Sequence, residues 1–464
     1  MANDGATTVD HHLGEIKRSG DSISFLPDEI LQHILSLIPT KSVITTSVLS
    51  KRWRHVWFNT PSLSFDSNTV SADTINQTLA QYTARKMETF QLCSSVTDNL
   101  PHIDRWVEFA TSRNVENLTL DLDFRSYNIP DFFYTVSSVK QLSLELHSSP
   151  MIPKSSVSWT SLKKLSLRSC KLSDESAARI LSGCPIIESL TLHLCDQLRV
   201  LDLSKSQRLR TLKIDGILGP IQIVAPHIHY LSLTNFRLSC TLVDVSSLTE
   251  AKLNINVGFC PFEELKATLQ EMLEKVHNVD KLTFGKKLSS VYMLNAQQMY
   301  WLSLVVKVQR GATFPGIKVK DLTLETRISP HVVPGINRLL QGSPELKKLT
   351  VHVTESGTVP LPKKISDIVY RKHVNYFMEQ ILKKHEDIGE DDCKGLEELL
   401  CQMVPVLSHK HNVSIVLSSI KPDPFEPGAG TASSRTTRVN LRQKKPPGKV
   451  PKRLWTTVRG RTSS

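Results

Sequence analysis

The strongest constraint on this chain is a recurring triplet of the form Leu-x-Leu. It reads Leu118-Thr119-Leu120, Leu142-Ser143-Leu144, Leu165-Ser166-Leu167, Leu190-Thr191-Leu192, Leu212-Lys213-Ile214, Leu231-Ser232-Leu233, Leu253-Asn254-Ile255, Leu282-Thr283-Phe284, Leu322-Thr323-Leu324 and Leu349-Thr350-Val351. Successive triplets start 19 to 29 residues apart, except for one gap of 40. Alternation of apolar and polar residues over so short a span makes a strand with one buried face. A strand returning at that period belongs to a stacked repeat, in which no unit buries its apolar face alone and neighbours share one core. The spacings of 29 and 40 mark insertions.

Two segments repeat more closely. Leu181-Ser182-Gly183-Cys184-Pro185 leads into Leu190-Thr191-Leu192, and Leu340-Gln341-Gly342-Ser343-Pro344 leads into Leu349-Thr350-Val351. The pattern predicts a helix ending at the leucine, a glycine in a left-handed cap, a proline that forbids continuation, and then the next strand. The period and the pattern together predict leucine-rich repeats over 115–355, with 62–114 as a helical linker or the start of the solenoid.

Ahead of the repeats, 22–61 reads as a small helical unit. Pro27, Asp28 and Glu29 suit a first helical turn, where proline's missing N–H is no loss and carboxylates favour the positive end of the helix dipole. Ile30, Leu31, Ile34, Leu35 and Ile38 follow at helical spacing, and Pro39 stops the run. A short second helix carries Val43, Ile44 and Val48. Ser50 is a candidate N-cap for a third, which presents Trp53, Val56 and Trp57. Some forty residues cannot bury this many large apolar side chains internally, so part of the set is expected to face a partner or the next domain.

After Pro360 the spacing of Ile365, Ile368, Val369, Phe377, Met378, Ile381 and Leu382 turns helical. This predicts a C-terminal cap over 356–420 that covers the open end of the array, with a last strand near Val413–Leu417. The net charge of +12 sits mostly beyond it: 421–464 holds eleven basic residues against Asp423 and Glu426. That stretch is rich in Pro, Gly, Ser and Thr and is expected to be a disordered basic tail, as 1–21 is expected to be a disordered N-terminus. Lys444-Lys445 and Lys449 to Arg453 offer a nuclear-import signal. No apolar h-region opens the chain and no apolar run reaches a membrane-spanning length. An intracellular location, nucleus or cytoplasm, is expected. The eight cysteines form no C-x-x-C pair and no zinc-finger spacing, and read as reduced thiols.

Catalytic signatures are missing. There is no phosphate loop, no H-E-x-x-H, no G-x-S-x-G and no dinucleotide-binding glycine pattern. His385-Glu386-Asp387 and Glu390-Asp391-Asp392 read as a solvated loop and His409-Lys410-His411 as a surface turn. No catalytic residue, cofactor or metal is expected.

The N-terminal unit resembles an F-box, carried by Leu26-Pro27-Asp28-Glu29-Ile30-Leu31, Ile34 to Pro39, and Ser47-Val48-Leu49-Ser50-Lys51-Arg52-Trp53-Arg54-His55-Val56-Trp57. Followed by leucine-rich repeats, it is similar to the large plant F-box/LRR family. The resemblance implies an α/β protein with a three-helix F-box and a parallel strand ladder with helices, to which the residue pattern adds the helical cap and the disordered basic tail. Many such relatives carry a further C-terminal FBD module, whose Trp- and Gly-bearing pattern is not found after Pro360. It also implies a non-catalytic substrate-recognition subunit of an SCF-type ubiquitin ligase. The F-box would dock a Skp-family adaptor and, through it, cullin and RING subunits, while the repeats hold a protein substrate that the sequence does not identify. Carried over by position, the adaptor-binding residues are Leu26, Pro27, Ile30, Leu31, Ile34, Leu35, Val48, Leu49, Ser50, Trp53 and Trp57. Part of that set is expected to form the unit's own core.

Two alternatives follow from other features. The basic tail with Trp455 suits a nucleic-acid-associated protein, although the remaining 420 residues carry little net charge and weaken that reading. A small-ligand-sensing F-box receptor is the other. A membrane partner is not expected.

Overall fold

The computed structural model describes residues 22–124, 127–216, 219–236, 240–255, 271–285, 318–326, 343, 345–354 and 414–420. The tail, the first 21 residues, the helices expected after Pro360, the Leu340–Gly342 cap, and Cys260, Cys393 and Cys401 lie outside them, as do the His- and acid-bearing loops read near 385–392 and 409–411.

The first unit, Met1–Val319, opens with short helices α1 (Asp28–Leu35), α2 (Thr40–Thr45) and α3 (Trp53–Val56). Pro27 and Pro39 precede α1 and α2 in extended backbone, and their carbonyls take the first helical N–H groups: Leu31 N–H donates to Pro27 at 3.1 Å and Val43 N–H to Pro39 at 3.1 Å. Proline thus starts both helices, because its fixed φ and missing donor cost nothing there.

A ladder of parallel strands follows. It comprises β1 (Ser62–Asp66), β2 (Thr89–Ser94), β3 (Asn117–Leu122), β4 (Gln141–Glu145), β5 (Lys164–Arg168) and β6 (Ser189–His193), then β8 (Thr211–Asp215), β10 (Tyr230–Phe236), β12 (Glu250–Ile255) and β13 (Lys281–Phe284). Register converts the triplets into two buried columns. One runs Leu63, Phe90, Leu118, Leu142, Leu165, Leu190, Leu212, Leu231, Ala251, Leu282. The other runs Phe65, Leu92, Leu120, Leu144, Leu167, Leu192, Ile214, Leu233, Leu253, Phe284. Residues between the columns lie on the opposite face, as strand pleating requires, and all but Ser232 are at least partly exposed.

Three features refine the expectation. The ladder begins at Ser62, so of the two readings of 62–114 the start of the solenoid holds and the helical linker does not; β1 and β2 present Leu-x-Phe and Phe-x-Leu, so a search for paired leucines passes over them. In β12 the first column is filled by Ala251, two residues before the leucine read from sequence, because alignment with Leu231 and Leu282 sets the position. The third is a small second parallel sheet of β7 (Val200–Asp202), β9 (Ile221–Val224) and β11 (Cys240–Asp244), burying Leu201, Ile223 and Leu242. The repeats are shortest here, and short strands take the return path that helices occupy in several other repeats.

The longer repeats return by helices α4 (Ala72–Gln81), α5 (Leu100–Ser112) and α6 (Asp174–Ser182). Ser71 and Ser173 cap α4 and α6, their hydroxyls accepting the Thr74 and Ser176 N–H groups. α5 buries Ile103, Trp106, Val107 and Ala110, and Trp106 Nε1 donates to Asn76 Oδ1 of α4 at 2.8 Å. Gly183 ends α6 at φ −84°, so the left-handed cap is absent. Its need is space: a Cβ there would stand 2.4 Å from the Val157 carbonyl oxygen.

In the second unit, Lys320–Ser464, β14 (Asp321–Thr326), β15 (Lys348–Thr354) and β16 (Ser414–Ile420) pair in parallel, with Leu322 opposite Leu349 and Leu349 opposite Ile415.

Candidate functional site

The N-terminal helices hold a core of Leu31, Leu35, Val43, Val56 and Trp57, with Leu26, Ile44, Trp53 and Phe58 packed on it. Trp57 and Phe58 meet edge-to-face, with ring centroids 4.5 Å apart. Arg52 ties α3 to the start of α1: its Nε donates to Asp28 Oδ1 at 2.8 Å and its Nη2 to the Leu26 carbonyl. Ser50 Oγ accepts the Trp53 N–H at 3.3 Å.

This core resolves the apolar set. Leu31, Leu35 and Trp57 are internal and cannot themselves touch a partner, which corrects their expected place on a docking surface. Leu26 and Trp53 are half-buried against them. Pro27, Ile30, Ile34, Val48, Leu49 and Ser50 are exposed. In α1 each residue advances by about 100°, so the pairs Leu31/Leu35 and Ile30/Ile34 lie on adjacent faces. Only the first pair meets α3.

The adaptor-binding set read from sequence left out four exposed residues: Ile23, Phe25, Leu37 and Ile38. Their signal was present, since they are large apolar residues flanking α1 that the eleven-residue set left out. Phe25 (81% exposed), Leu37 (75%), Val48 (87%) and Leu49 (66%) are the barest. Eight of the fourteen exposed large hydrophobics among the described residues fall between Ile23 and Leu49. Such a concentration on one small unit marks an interaction surface.

The unit is seated on the ladder. Thr40 Oγ1 accepts the Ser64 N–H of β1 at 2.7 Å, and Tyr82 Oη donates to the Thr60 carbonyl at 2.7 Å. Thr83 N–H donates to the Phe58 carbonyl at 2.9 Å.

A family model for the F-box domain matches residues 23–64, and one described as "At1g61320/AtMIF1, LRR domain" matches residues 79–404. The chain belongs to the F-box/LRR-repeat family. Its relatives in Arabidopsis thaliana include a putative F-box protein, At1g49610, 53% identical over 361 residues, covering 76% of this chain and 89% of the relative. The putative F-box/LRR-repeat protein At3g18150 is 47% identical over 457 residues, covering 89% and 95% respectively. The F-box/LRR-repeat protein At3g03360 is 45% identical over 454 residues, covering 87% and 92%.

In this family member the buried thiols among the described residues are structural. Cys170 and Cys195 occupy the inward turn position after β5 and β6, where the repeat pattern takes Asn or Cys. Cys170 Sγ donates to the Arg168 carbonyl at 3.1 Å and Cys195 Sγ to the Leu167 carbonyl at 3.5 Å. Burial pushes the Cys184 and Cys240 thiols up to about 12. Burial and the nearby Asp121 and Asp66 carboxylates raise Cys93 to about 11. These three thiols are therefore protonated at neutral pH and poor nucleophiles. Among the described residues no cluster of His, Cys, Asp or Glu could hold a metal ion, and no helix is long and apolar enough to cross a membrane.

Proposed function

We propose that this F-box/LRR-repeat protein is the substrate-recognition subunit of an SCF-type ubiquitin ligase, acting inside the cell in the nucleus or cytoplasm. The observation that carries the reading is the bare apolar ridge around α1, with Ile30 and Ile34 on the helix and Val48 and Leu49 beside it. Burying each such side chain against a partner is worth about 1.5–3 kcal/mol, so a few suffice as anchors. The ridge docks a Skp-family adaptor, which brings cullin and RING subunits. The ladder holds the target protein. The chain contributes proximity and makes no bonds itself: a target lysine held near the ubiquitin-charged enzyme reacts as a tethered partner. Seating of the F-box on β1 through Thr40 and Ser64 fixes the span between adaptor and target.

Co-purification with a Skp-family adaptor tests the reading. The wild-type chain should bind, and I30E/V48E should lose the adaptor while melting as the wild type does, because neither side chain belongs to the core. Adaptor binding that survives the double substitution would remove the ridge from the docking surface.

A further inference from the structure

The solvent face of the ladder forms a trough of about 900 Å3 running from β2 to β8. Its polar lining over β2–β4 is made of hydroxyl and amide side chains alone. Over β5–β8 it turns cationic, with Lys164, Arg210 and Lys213 around the hydroxyls of Ser189 and Thr191.

Several other cations of the ladder are paired with carboxylates. Lys86 and Lys140 share Glu116, Lys163 pairs with Glu188, Arg168 with Glu145 and Lys281 with Glu250. The trough's one carboxylate, Glu188, is thereby already engaged. Lys164 and Lys213 have no ion pair and no side-chain hydrogen bond among the described residues. Arg210 donates only to the Gln207, Leu209 and His227 carbonyls, which leave its charge uncompensated. Register places Lys164 opposite Ser189 and Lys213 opposite Thr191, so the two lysines flank β6 with hydroxyl donors between them.

We infer that this end of the trough holds an acidic, extended segment of the target protein, with adjacent Glu or Asp side chains laid across β5–β8. Charge complementarity chooses the occupant: among the described residues Lys164 and Lys213 have no acceptor and Arg210 has only neutral carbonyls, and carboxylates supply the missing negative charge. A nucleic-acid strand fits poorly, because it needs cations tracking a whole backbone and the opposite strand ends carry Asp66, Asp121, Asp123 and Glu145. The inference rests on the substrate-receptor reading and names the chemistry of its target.

The test uses the full chain and a twelve-residue Gly/Ser peptide with four consecutive glutamates and a terminal photo-crosslinker. A twin with glutamines and a labelled single-stranded oligonucleotide are the comparators. Crosslinks mapped by mass spectrometry separate the ladder from the basic stretch 421–464. The glutamate peptide should label β5–β8 at least tenfold more than its glutamine twin, and the labelling should fade as salt rises. K164E/K213E should abolish it, whereas K154E/K205E, with the same net charge change outside the trough, should keep it. Equal labelling by the twin, labelling confined to 421–464, equal loss in both double variants, or stronger ladder labelling by the oligonucleotide would each overturn the inference. Adaptor co-purification on the same samples reports separately on the receptor reading.

Discussion

The buried hydroxyl of Thr40 accepts the main-chain N–H of Ser64 at 2.7 Å, joining the second F-box helix to the outermost strand of the ladder. Among the described residues β1 has no strand on its outer side, so this amide has no ladder partner there. Thr40→Val keeps the shape and removes the acceptor of a half-buried donor, which costs about 1 kcal/mol. Chemical denaturation should register that loss, and the isosteric change should leave the apolar ridge intact.

Leu31 and Ile30 are sequence neighbours with opposite roles. Leu31→Ala empties a core position and should cost about 2–5 kcal/mol of stability. Ile30→Ala should change stability by no more than about 0.5 kcal/mol yet weaken adaptor binding roughly tenfold, or about 1.4 kcal/mol. Melting curves beside a titration with the adaptor separate the two. Equal effects of both substitutions on stability would contradict the division into core and ridge.

Gly183 ends α6 against the backbone of Val157. A Cβ at 2.4 Å from the Val157 oxygen forces one segment to move, and the obstacle is main chain, which yields little. Gly183→Ala should destabilise by about 1–3 kcal/mol through overpacking. Because φ is −84°, a D-residue or asparagine offers no relief, and a stability ranking of Gly, Ala and Asn variants checks this.

Glu116 bridges Lys140 at 2.8 Å and Lys86 at 2.7 Å. Hydrogen bonds from the two ammonium groups hold its carboxyl below the usual range. A carboxylate depressed in the folded state stabilises above its unfolded value, near about 4.3, and loses that contribution as pH falls through the folded value. The stability gap between the wild type and Glu116→Gln should therefore be open at neutral pH and close under acid. Urea denaturation across pH 3–7 measures it; a gap independent of pH would show that the pair adds nothing.

The repeat was legible because its physics is local. Strand pleating turns Leu118-Thr119-Leu120 into one buried and one solvent-facing row without reference to the rest of the chain, and a period in the twenties leaves stacking as the way to bury that row. β1 and β2 escaped notice because Phe65 and Phe90 fill the leucine columns, and the place of Ala251 is visible only from its register with Leu231. The second sheet was hidden for a related reason: three- to five-residue strands carry too little alternation to stand out, and only their pairing makes them a sheet.

The sequence by itself determined that α1 is amphipathic, that leucine columns stack, and that the N-terminal helices hold more apolar side chains than they can enclose. Each of these follows from spacing along the backbone. Tertiary structure alone decided that Leu31, Leu35 and Trp57 lie inside while Ile30, Ile34 and Val48 face out, and that among the described residues Lys164 and Lys213 have no ion pair where Lys140 and Lys163 do. A helical pattern states which residues share a face. Which face is covered depends on where α3 and the neighbouring strands lie, and those are contacts between residues distant in the chain.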